Sequence, residues 1–158
     1  MELISLDYGL ENSNTLKDKE TIEENNLVIF DDTTRWLNIY VSNKMPDFTP
    51  RYRINGFTPF RKDVLNIVKD IPYEKVITYS DIATQIAKKR NMMKMSSQAV
   101  GGAVGFNPIC IIIPCHRVMG KNNNITGYTE GIEKKVWLLN HEGYNITSIK
   151  YPKIERTN

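Results

Sequence analysis

The residues with the clearest chemical potential lie in the short segment Pro114-Cys115-His116-Arg117. The thiolate is the reactive form of cysteine, and nearby positive charge favours it. Here a cysteine follows an apolar run at residues 109–113 and is followed at once by two basic residues. This arrangement is typical of a nucleophile, although a lone cysteine beside an apolar strand is more commonly a buried packing residue.

The apolar run at residues 109–113 predicts a buried strand or an extended core segment. Neighbouring side chains of an extended segment point in opposite directions, so direct contact between Cys115 and His116 is not required. A bridging water could then relay the thiol proton, and a carboxylate from elsewhere in the chain would orient the histidine.

Four segments after Gly56 carry helix signals that could position this site. Each combines apolar residues at helical spacing with a capping or a stop residue. They begin at Thr58-Pro59, at a capping box of Thr78 with Asp81, at Ser96 or Ser97, and at Ile132 with Gly143 as the C-terminal stop. The second and third segments predict a helix-turn-helix with a longer connector than usual, which includes the basic residues 88–95.

The N-terminal part of the chain gives weaker patterns. Residues 11–26 are almost entirely polar and predict a loop or a mobile segment, and the apolar residues 27–30 predict a strand. Residues 31–34 are turn-like, and Leu37, Tyr40 and Val41 then fit helical spacing. Residues 43–55, with two prolines, predict a linker.

These patterns predict an α/β (α+β) fold. A small α/β domain at residues 1–56 would precede a mainly helical, winged-helix-like domain at residues 57–150, with a tail at residues 151–158.

Composition narrows the class of protein. The 158 residues carry a net charge of +3, with 12 basic and 7 acidic residues between positions 58 and 143, which suits nucleic-acid binding. No apolar run approaches the ~20 residues of a membrane span, and residues 1–10 do not resemble a signal peptide. Two cysteines and two histidines predict neither a disulfide framework nor a zinc site. We therefore expect a cytoplasmic monomer with reduced thiols, no metal and no cofactor.

Several motifs in register resemble one known family. They are Thr58-Pro59-Phe60, Ile71-Pro72-Tyr73, Thr78-Tyr79-Ser80, Ala99-Val100-Gly101, Asn107-Pro108, Pro114-Cys115-His116-Arg117-Val118, Gly127-Tyr128, Trp137-Leu138-Leu139 and His141-Glu142-Gly143. The segment that they span, residues 58–143, resembles the alkylguanine-DNA alkyltransferases, also called methylated-DNA–protein-cysteine methyltransferases. The resemblance implies DNA repair by direct reversal, in which double-stranded DNA containing alkylated guanine is the partner.

The resemblance also implies roles for single residues. Cys115 would accept the alkyl group, His116 would take the thiol proton through a water, and Glu142 would orient His116. Asn107 would shape the active-site turn, and Tyr128 would donate a proton to the departing guanine. Arg117 would be a scaffold residue rather than a reactant.

A second group of residues would hold the DNA and the target base. Tyr79 would press on the phosphate beside the target and help to rotate the nucleotide out of the duplex. The other DNA-contacting residues would be Arg90, Lys94, Ser96, Ser97, Gln98, Ala99, Gly101 and Gly102. The pocket would be lined by Pro114, Tyr128, Thr129, Glu130, Gly131 and Lys135.

The sequence departs from the family pattern in three places. Gln98 stands where the family often has an arginine that fills the space vacated by the flipped base. Glu130 brings a carboxylate to the pocket loop, where a solvated loop residue is the simpler interpretation. The segment before Thr58 is shorter than usual.

Other functions remain open from the residues alone. An alkyltransferase-like protein would recognise the lesion without repairing it, but such proteins lack the acceptor cysteine. A cysteine protease or acyltransferase would also use a cysteine and a histidine, commonly from distant positions. A plain helix-turn-helix regulator would explain the basic half of the chain but not the cysteine segment.

Overall fold

The computed structural model describes the backbone of residues 16–151 and the side chains of residues 28–151. The chain divides into two compact units, residues 1–55 and residues 56–158. No helix within the described residues is long and apolar enough to cross a membrane.

The described part of the first unit is built on one long helix, α1 (Leu16–Val41). Trp36 and Tyr40 are buried, and their rings stack with centroids 5.3 Å apart. Four-residue spacing places these two rings on one helical face, whereas Leu37 and Val41 are exposed.

The N-terminal strand and turn predictions are therefore wrong. Residues 16–26 of the predicted polar loop, the predicted strand at residues 27–30 and the predicted turn at residues 31–34 all lie in α1, while residues 11–15 lie outside the described residues. Within residues 16–55 we find no strand, so the described part of the predicted α/β domain is helical. A short apolar run does not by itself distinguish helix from strand. Here the less exposed positions recur at the helical period along α1.

Within its described residues, 56–151, the second unit holds four α-helices and a two-stranded sheet. In chain order these are α2 (Pro59–Lys69), β1 (Ile77–Thr78), α3 (Tyr79–Lys89), α4 (Ser97–Gly105), β2 (Val118–Met119) and α5 (Ile132–His141). The two strands are parallel, and Ile77 pairs with Val118 while Thr78 pairs with Met119. This pairing places the start of α3 beside the chain that leaves the cysteine segment.

Apolar stripes pack α2, α3 and α4 against one another. Their fully buried members include Val64, Val68, Ile82, Ile86 and Val100. A second apolar cluster lies beneath α5 and comprises Met119, Ile125, Leu139 and Ile149. The cysteine segment connects α4 to β2 and thus lies between these two parts of the core.

Capping residues fix where the helices begin. Thr58 caps α2, and the predicted capping box of Thr78 and Asp81 at α3 is confirmed, with Thr78 N donating to Asp81 Oδ2 over 2.8 Å. Ser96, rather than Ser97, caps α4 by accepting from Ala99 N over 3.3 Å. Gly143 follows α5 with a φ of +80°, a left-handed conformation that favours glycine.

The predicted strand at residues 109–113 is also wrong, because this segment is a tight turn. Ile113 N donates to Ile109 O over 3.0 Å, and Ile111 adopts a φ of +73°. Pro108 and Pro114 bracket the turn and lack the N–H groups that a strand ladder would use. Cys115 therefore begins a single 3-10 turn (Cys115–Arg117) rather than ending a strand.

The two serines before α4 provide a stability prediction. Replacing Ser96 with Ala should lower the free energy of unfolding by about 1 kcal/mol, because the first turn of α4 loses its side-chain acceptor. Ser97→Ala is the matched control and should change the free energy by less than about 0.5 kcal/mol. Urea denaturation measures both variants, and equal losses would show that Ser96 is not the cap.

Candidate active site

The side chain of Asn107 holds the turn that precedes Cys115. Its Oδ1 accepts from Ile109 N over 3.1 Å, and its Nδ2 donates to Ile113 O over 2.8 Å. The same Nδ2 lies 3.1 Å from Cys115 Sγ and donates to it. One amide therefore closes the turn and contacts the sulfur, at the residue to which the resemblance assigns a turn-shaping role.

Cys115 is 6% exposed, and its surroundings favour the thiolate. The neighbouring Cys110 thiol makes the largest contribution to lowering the pKa of Cys115. Burial opposes this shift, whereas the Asn107 hydrogen bond and the charge of Lys135 add to it. The net effect is a pKa below the ordinary thiol value, as a nucleophile requires.

His116 lies behind the cysteine in a fully buried network. Its Nε2 lies 2.8 Å from Glu142 Oε1, and Arg117 donates to both carboxylate oxygens, over 2.7 Å from Nε and 2.8 Å from Nη2. Burial raises the pKa of the Glu142 carboxyl, but the bonds from His116 and Arg117 outweigh burial and lower it to about 2. Glu142 is therefore ionised.

This network determines which nitrogen of His116 can act as a base. Burial lowers the pKa of His116, and the Glu142 bond opposes that shift only in part, so the ring is neutral. An ionised carboxylate only accepts hydrogen bonds, so Nε2 carries the ring proton. Nδ1 keeps its lone pair, and it has no hydrogen-bond partner within the described residues.

Arg117 ties the network to the rest of the second unit. Its Nη1 donates to Ile71 O, and its guanidinium lies 4.5 Å from the centre of the Tyr73 ring. The two bonds to Glu142 form a bidentate pair, the geometry in which arginine binds a carboxylate most strongly. Arg117 thus contacts the scaffold and the orienting carboxylate.

Lys135 on α5 and Tyr79 on α3 both interact electrostatically with Cys115. The buried Lys135 Nζ donates to Val118 O over 2.5 Å and to Thr126 O over 2.9 Å. Burial lowers the pKa of Lys135 to about 8, although the Cys115 thiolate opposes that shift. Tyr79 donates its hydroxyl to Gly127 O over 3.0 Å, and burial followed by the Cys115 charge raises the pKa of Tyr79 to about 12.

The loop before α5 supplies most of the predicted pocket residues. Tyr128 is half-buried, and burial, followed by the charges of Cys115 and Cys110, raises its pKa. Thr129 donates to Gly105 O over 3.3 Å and so links this loop to the end of α4. Glu130 is exposed and lies 3.6 Å from Lys134, in agreement with a solvated loop residue.

The predicted DNA-contacting residues form a separate exposed surface. Ser96, Ser97, Gln98, Ala99 and Gly102 are exposed at and near the start of α4, whereas Gly101 is half-buried against the Tyr79 ring. Lys94 is exposed on the connector.

Arg90 differs from the other predicted DNA contacts because it already forms an ion pair. Its guanidinium donates to Asp63 Oδ2 over 2.7 Å, and Lys89 binds the other oxygen of the same carboxylate. Asp63 therefore offsets part of the positive charge at the end of α3, a pairing that the sequence analysis missed.

The sequence analysis also missed that Cys110 and Cys115 both lie against Asn107. The separation of five residues would place the two side chains on opposite faces of the predicted strand. The turn reverses that expectation and brings both sulfurs to Asn107. The bracketing prolines were the only signal in the sequence that could have revealed it.

Comparison with known proteins agrees with this arrangement. Residues 59–144 match the family model described as the DNA-binding domain of 6-O-methylguanine DNA methyltransferase. A methylated-DNA–protein-cysteine methyltransferase from Methanosarcina acetivorans is 39% identical over 140 residues, which cover 85% of this chain and 86% of that protein. A relative of the same name from Salmonella typhimurium is 44% identical over 89 residues, which cover 56% of this chain. The chain spans only about half the length of this second relative, 49%.

Solved structures of similar methyltransferases also match this chain. The crystal structure of Mycobacterium tuberculosis OGT in complex with DNA matches with a TM-score of 0.64 and 35% identity, over 76% of this chain and 69% of that one. An O6-methylguanine-DNA methyltransferase from Pyrococcus kodakaraensis matches with a TM-score of 0.53 and 35% identity, over 72% of this chain and 63% of that one. The family model covers more than half of this chain, and its matched segment includes Asn107, Cys115, His116, Arg117 and Glu142. The chain therefore belongs to the methylated-DNA–protein-cysteine methyltransferase family.

Proposed function

We propose that Cys115 accepts a methyl or larger alkyl group from the 6-oxygen of guanine in double-stranded DNA, irreversibly and once per protein molecule. The 4-oxygen of thymine is a second candidate donor. The observation that carries this proposal is the buried Cys115 sulfur, which accepts a hydrogen bond from Asn107 and lies on the same 3-10 turn as a neutral histidine oriented by Glu142.

The proposed step is a direct displacement at carbon. His116 Nδ1 takes the thiol proton through a water, and the sulfur attacks the alkyl carbon, so that an S–C bond forms while the C–O bond to guanine breaks. The guanine leaves as an anion and takes a proton from Tyr128. A thioether has no easy leaving route, so the protein is consumed in the reaction.

The target base must leave the helix to reach this sulfur. A base inside a duplex cannot approach a buried thiol, and extruding it costs a few kcal/mol. In the proposal, α3 and α4 form a helix-turn-helix whose connector is residues 90–96. Helix α4 then lies against the minor groove, where sequence readout is poor, as suits a lesion that arises anywhere.

The small residues of α4 support this placement. A Cβ atom added at Gly102 would meet no protein atom within 4 Å, so packing within the described residues does not require glycine there. A close approach by DNA would require it. Ser96, Ser97 and Lys94 are exposed nearby, as phosphate contacts must be.

The same proposal places the protein in the cytoplasm. A thiolate acceptor must remain reduced, and cytoplasmic thiols are kept reduced. A monomer satisfies all the roles above, because each proposed residue comes from one chain.

The decisive experiment is mass analysis after mixing the protein with duplex DNA that contains one O6-methylguanine. We expect one added methyl group per protein molecule, on Cys115, and the corresponding loss of methyl from the DNA. Cys115→Ala should gain no methyl but should still bind the duplex. Lesion-selective binding without any mass gain in the wild-type protein would contradict alkyl transfer and indicate a recognition protein.

Gln98 provides a separate prediction about DNA binding. Glutamine can hydrogen-bond to the orphaned base, but it lacks the charge and the cation stacking of an arginine. Gln98→Arg should therefore tighten binding to duplex DNA about fivefold, or about 1 kcal/mol. Fluorescence anisotropy at fixed salt measures the change.

A matched variant separates stacking from simple charge. Gln85 is also exposed but lies on α3, so Gln85→Arg adds the same charge at a position without the proposed role. It should change affinity less than Gln98→Arg. Equal gains for the two variants would show that Gln98 has no special place in the DNA complex.

A further inference from the structure

An exposed stripe on α4 ends at an aromatic side chain. Gln98, Gly102 and Phe106 follow one another at four-residue intervals, and all three are exposed. Val100 and Val104, on the other side of the helix, are buried. Residues four apart lie on the same helical face, and Phe106, which ends α4, is about 12 Å along the axis from Gln98. The face that the proposed function sets against the minor groove therefore ends in a phenylalanine ring that is 58% exposed.

An arginine of another helix stacks on this ring. The Cζ atom of Arg61, on α2, lies 3.9 Å from the centre of the Phe106 ring and 5.9 Å from the centre of the Phe57 ring. The face of an aromatic ring attracts a cation at such distances. The two rings therefore restrain a long, flexible side chain and place its charge at the end of the α4 stripe.

Arg61 differs from Arg90 in what surrounds its charge. Asp63 forms an ion pair with Arg90 and offsets its charge. The neighbours of Arg61 are uncharged rings, and within the described residues its guanidinium forms no ion pair or hydrogen bond. Stacking uses the flat face of a guanidinium and leaves the N–H donors at its edge, which is the geometry in which arginine binds phosphate. Arg61 therefore retains its full charge and its donors.

The stack lies beside the proposed acceptor site along the chain. The residue before the ring, Gly105, accepts from Thr129 of the pocket loop over 3.3 Å. The residue after it, Asn107, donates to Cys115 Sγ over 3.1 Å. A duplex that delivers a nucleotide to this sulfur must pass close to the ring, and its phosphates are the anions that it presents to a cation.

We propose that Arg61 is a DNA-binding residue that contacts a backbone phosphate close to the target nucleotide, and that Phe106 is a positioning residue that holds the guanidinium there. The inference rests on the proposed function, which sets α4 against the minor groove. The phosphate contacts already proposed, Lys94 and Ser96, lie before the start of that helix. Arg61 adds a fixed cation at the other end, so that the duplex is held at both ends of α4.

The test measures binding to undamaged duplex DNA by fluorescence anisotropy over a range of salt concentrations. Arg61→Gln removes the cation. Lys69→Gln is the matched control, because it removes an equal charge from an exposed position at the far end of α2. We expect Arg61→Gln to weaken binding about fivefold and to lower the slope of log affinity against log salt by about 0.9, the value for one phosphate contact. Lys69→Gln should weaken binding less than about twofold.

Two variants at position 106 test the role of the ring. Phe106→Leu keeps an apolar side chain without an aromatic face, whereas Phe106→Tyr keeps the face. We expect Phe106→Leu to weaken binding about threefold and Phe106→Tyr to bind as the wild type does. A variant that combines Arg61→Gln with Phe106→Leu should bind no more weakly than Arg61→Gln alone, because the ring acts through the arginine.

Three results would overturn the inference. The first is an unchanged affinity and salt slope in Arg61→Gln protein that is shown to be folded by thermal denaturation. The second is an equal loss in Lys69→Gln, which would indicate a general effect of charge. The third is additive losses in the combined variant, which would mean that the ring contacts DNA independently of the arginine.

Failure of the proposed function gives a different result. The binding experiment involves no methyl transfer, so a wild-type protein that takes up no methyl from O6-methylguanine still gives the comparison of affinities. The Gln98→Arg variant reports separately on whether α4 faces the DNA. If Arg61→Gln is too unstable to measure, the variants at the exposed position 106 test the same contact, and equal affinities of Phe106→Leu and wild type then overturn the inference.

Discussion

The hydrogen bonds of one half-buried amide, that of Asn107, underlie the arrangement of the whole site. The side chain accepts from Ile109 N and donates to Ile113 O, which closes the turn, and it also donates to the Cys115 sulfur. Together with the backbone bond from Ile113 N to Ile109 O, these bonds hold the apolar residues between the two prolines in the turn, in which Ile111 adopts a positive φ. The strained turn is thus held by the same group that contacts the acceptor.

A second constraint is the burial of charge behind the cysteine. Removing a carboxylate and a guanidinium from water is costly, and the cost is offset only when their hydrogen bonds are satisfied. Arg117 satisfies both oxygens of Glu142, and His116 shares one of them. The pair therefore fixes the histidine ring and its tautomer, and it ties the end of α5 to Ile71 through Arg117.

The sequence predicted the elements that rely on local rules. The caps at Thr58 and at Thr78 with Asp81, and the stop at Gly143, follow from side-chain chemistry within a few residues, and all three are present. The family was also identified from the sequence, because its motifs occur in register.

Two of the predictions that were wrong, the strands at residues 27–30 and 109–113, depended on the period of short apolar runs. Each of these runs is too short to show whether its apolar residues follow the period of a helix or that of a strand. The first run lies in a long helix, and the second forms a turn set by Asn107 and two prolines. The approach of both cysteine sulfurs to Asn107 could not follow from a strand, since an odd separation places side chains on opposite faces.

The most direct test of this account is the single-turnover rate of methyl transfer in Asn107→Asp. The carboxylate keeps the acceptor for Ile109 N but removes the donor to Ile113 O and to the sulfur, and it adds negative charge beside the thiolate. We predict a protein that remains folded, by circular dichroism, and that transfers methyl about tenfold more slowly or worse, equivalent to about 1.4 kcal/mol. A folded Asn107→Asp protein that transfers methyl at the wild-type rate would contradict the central place of this amide.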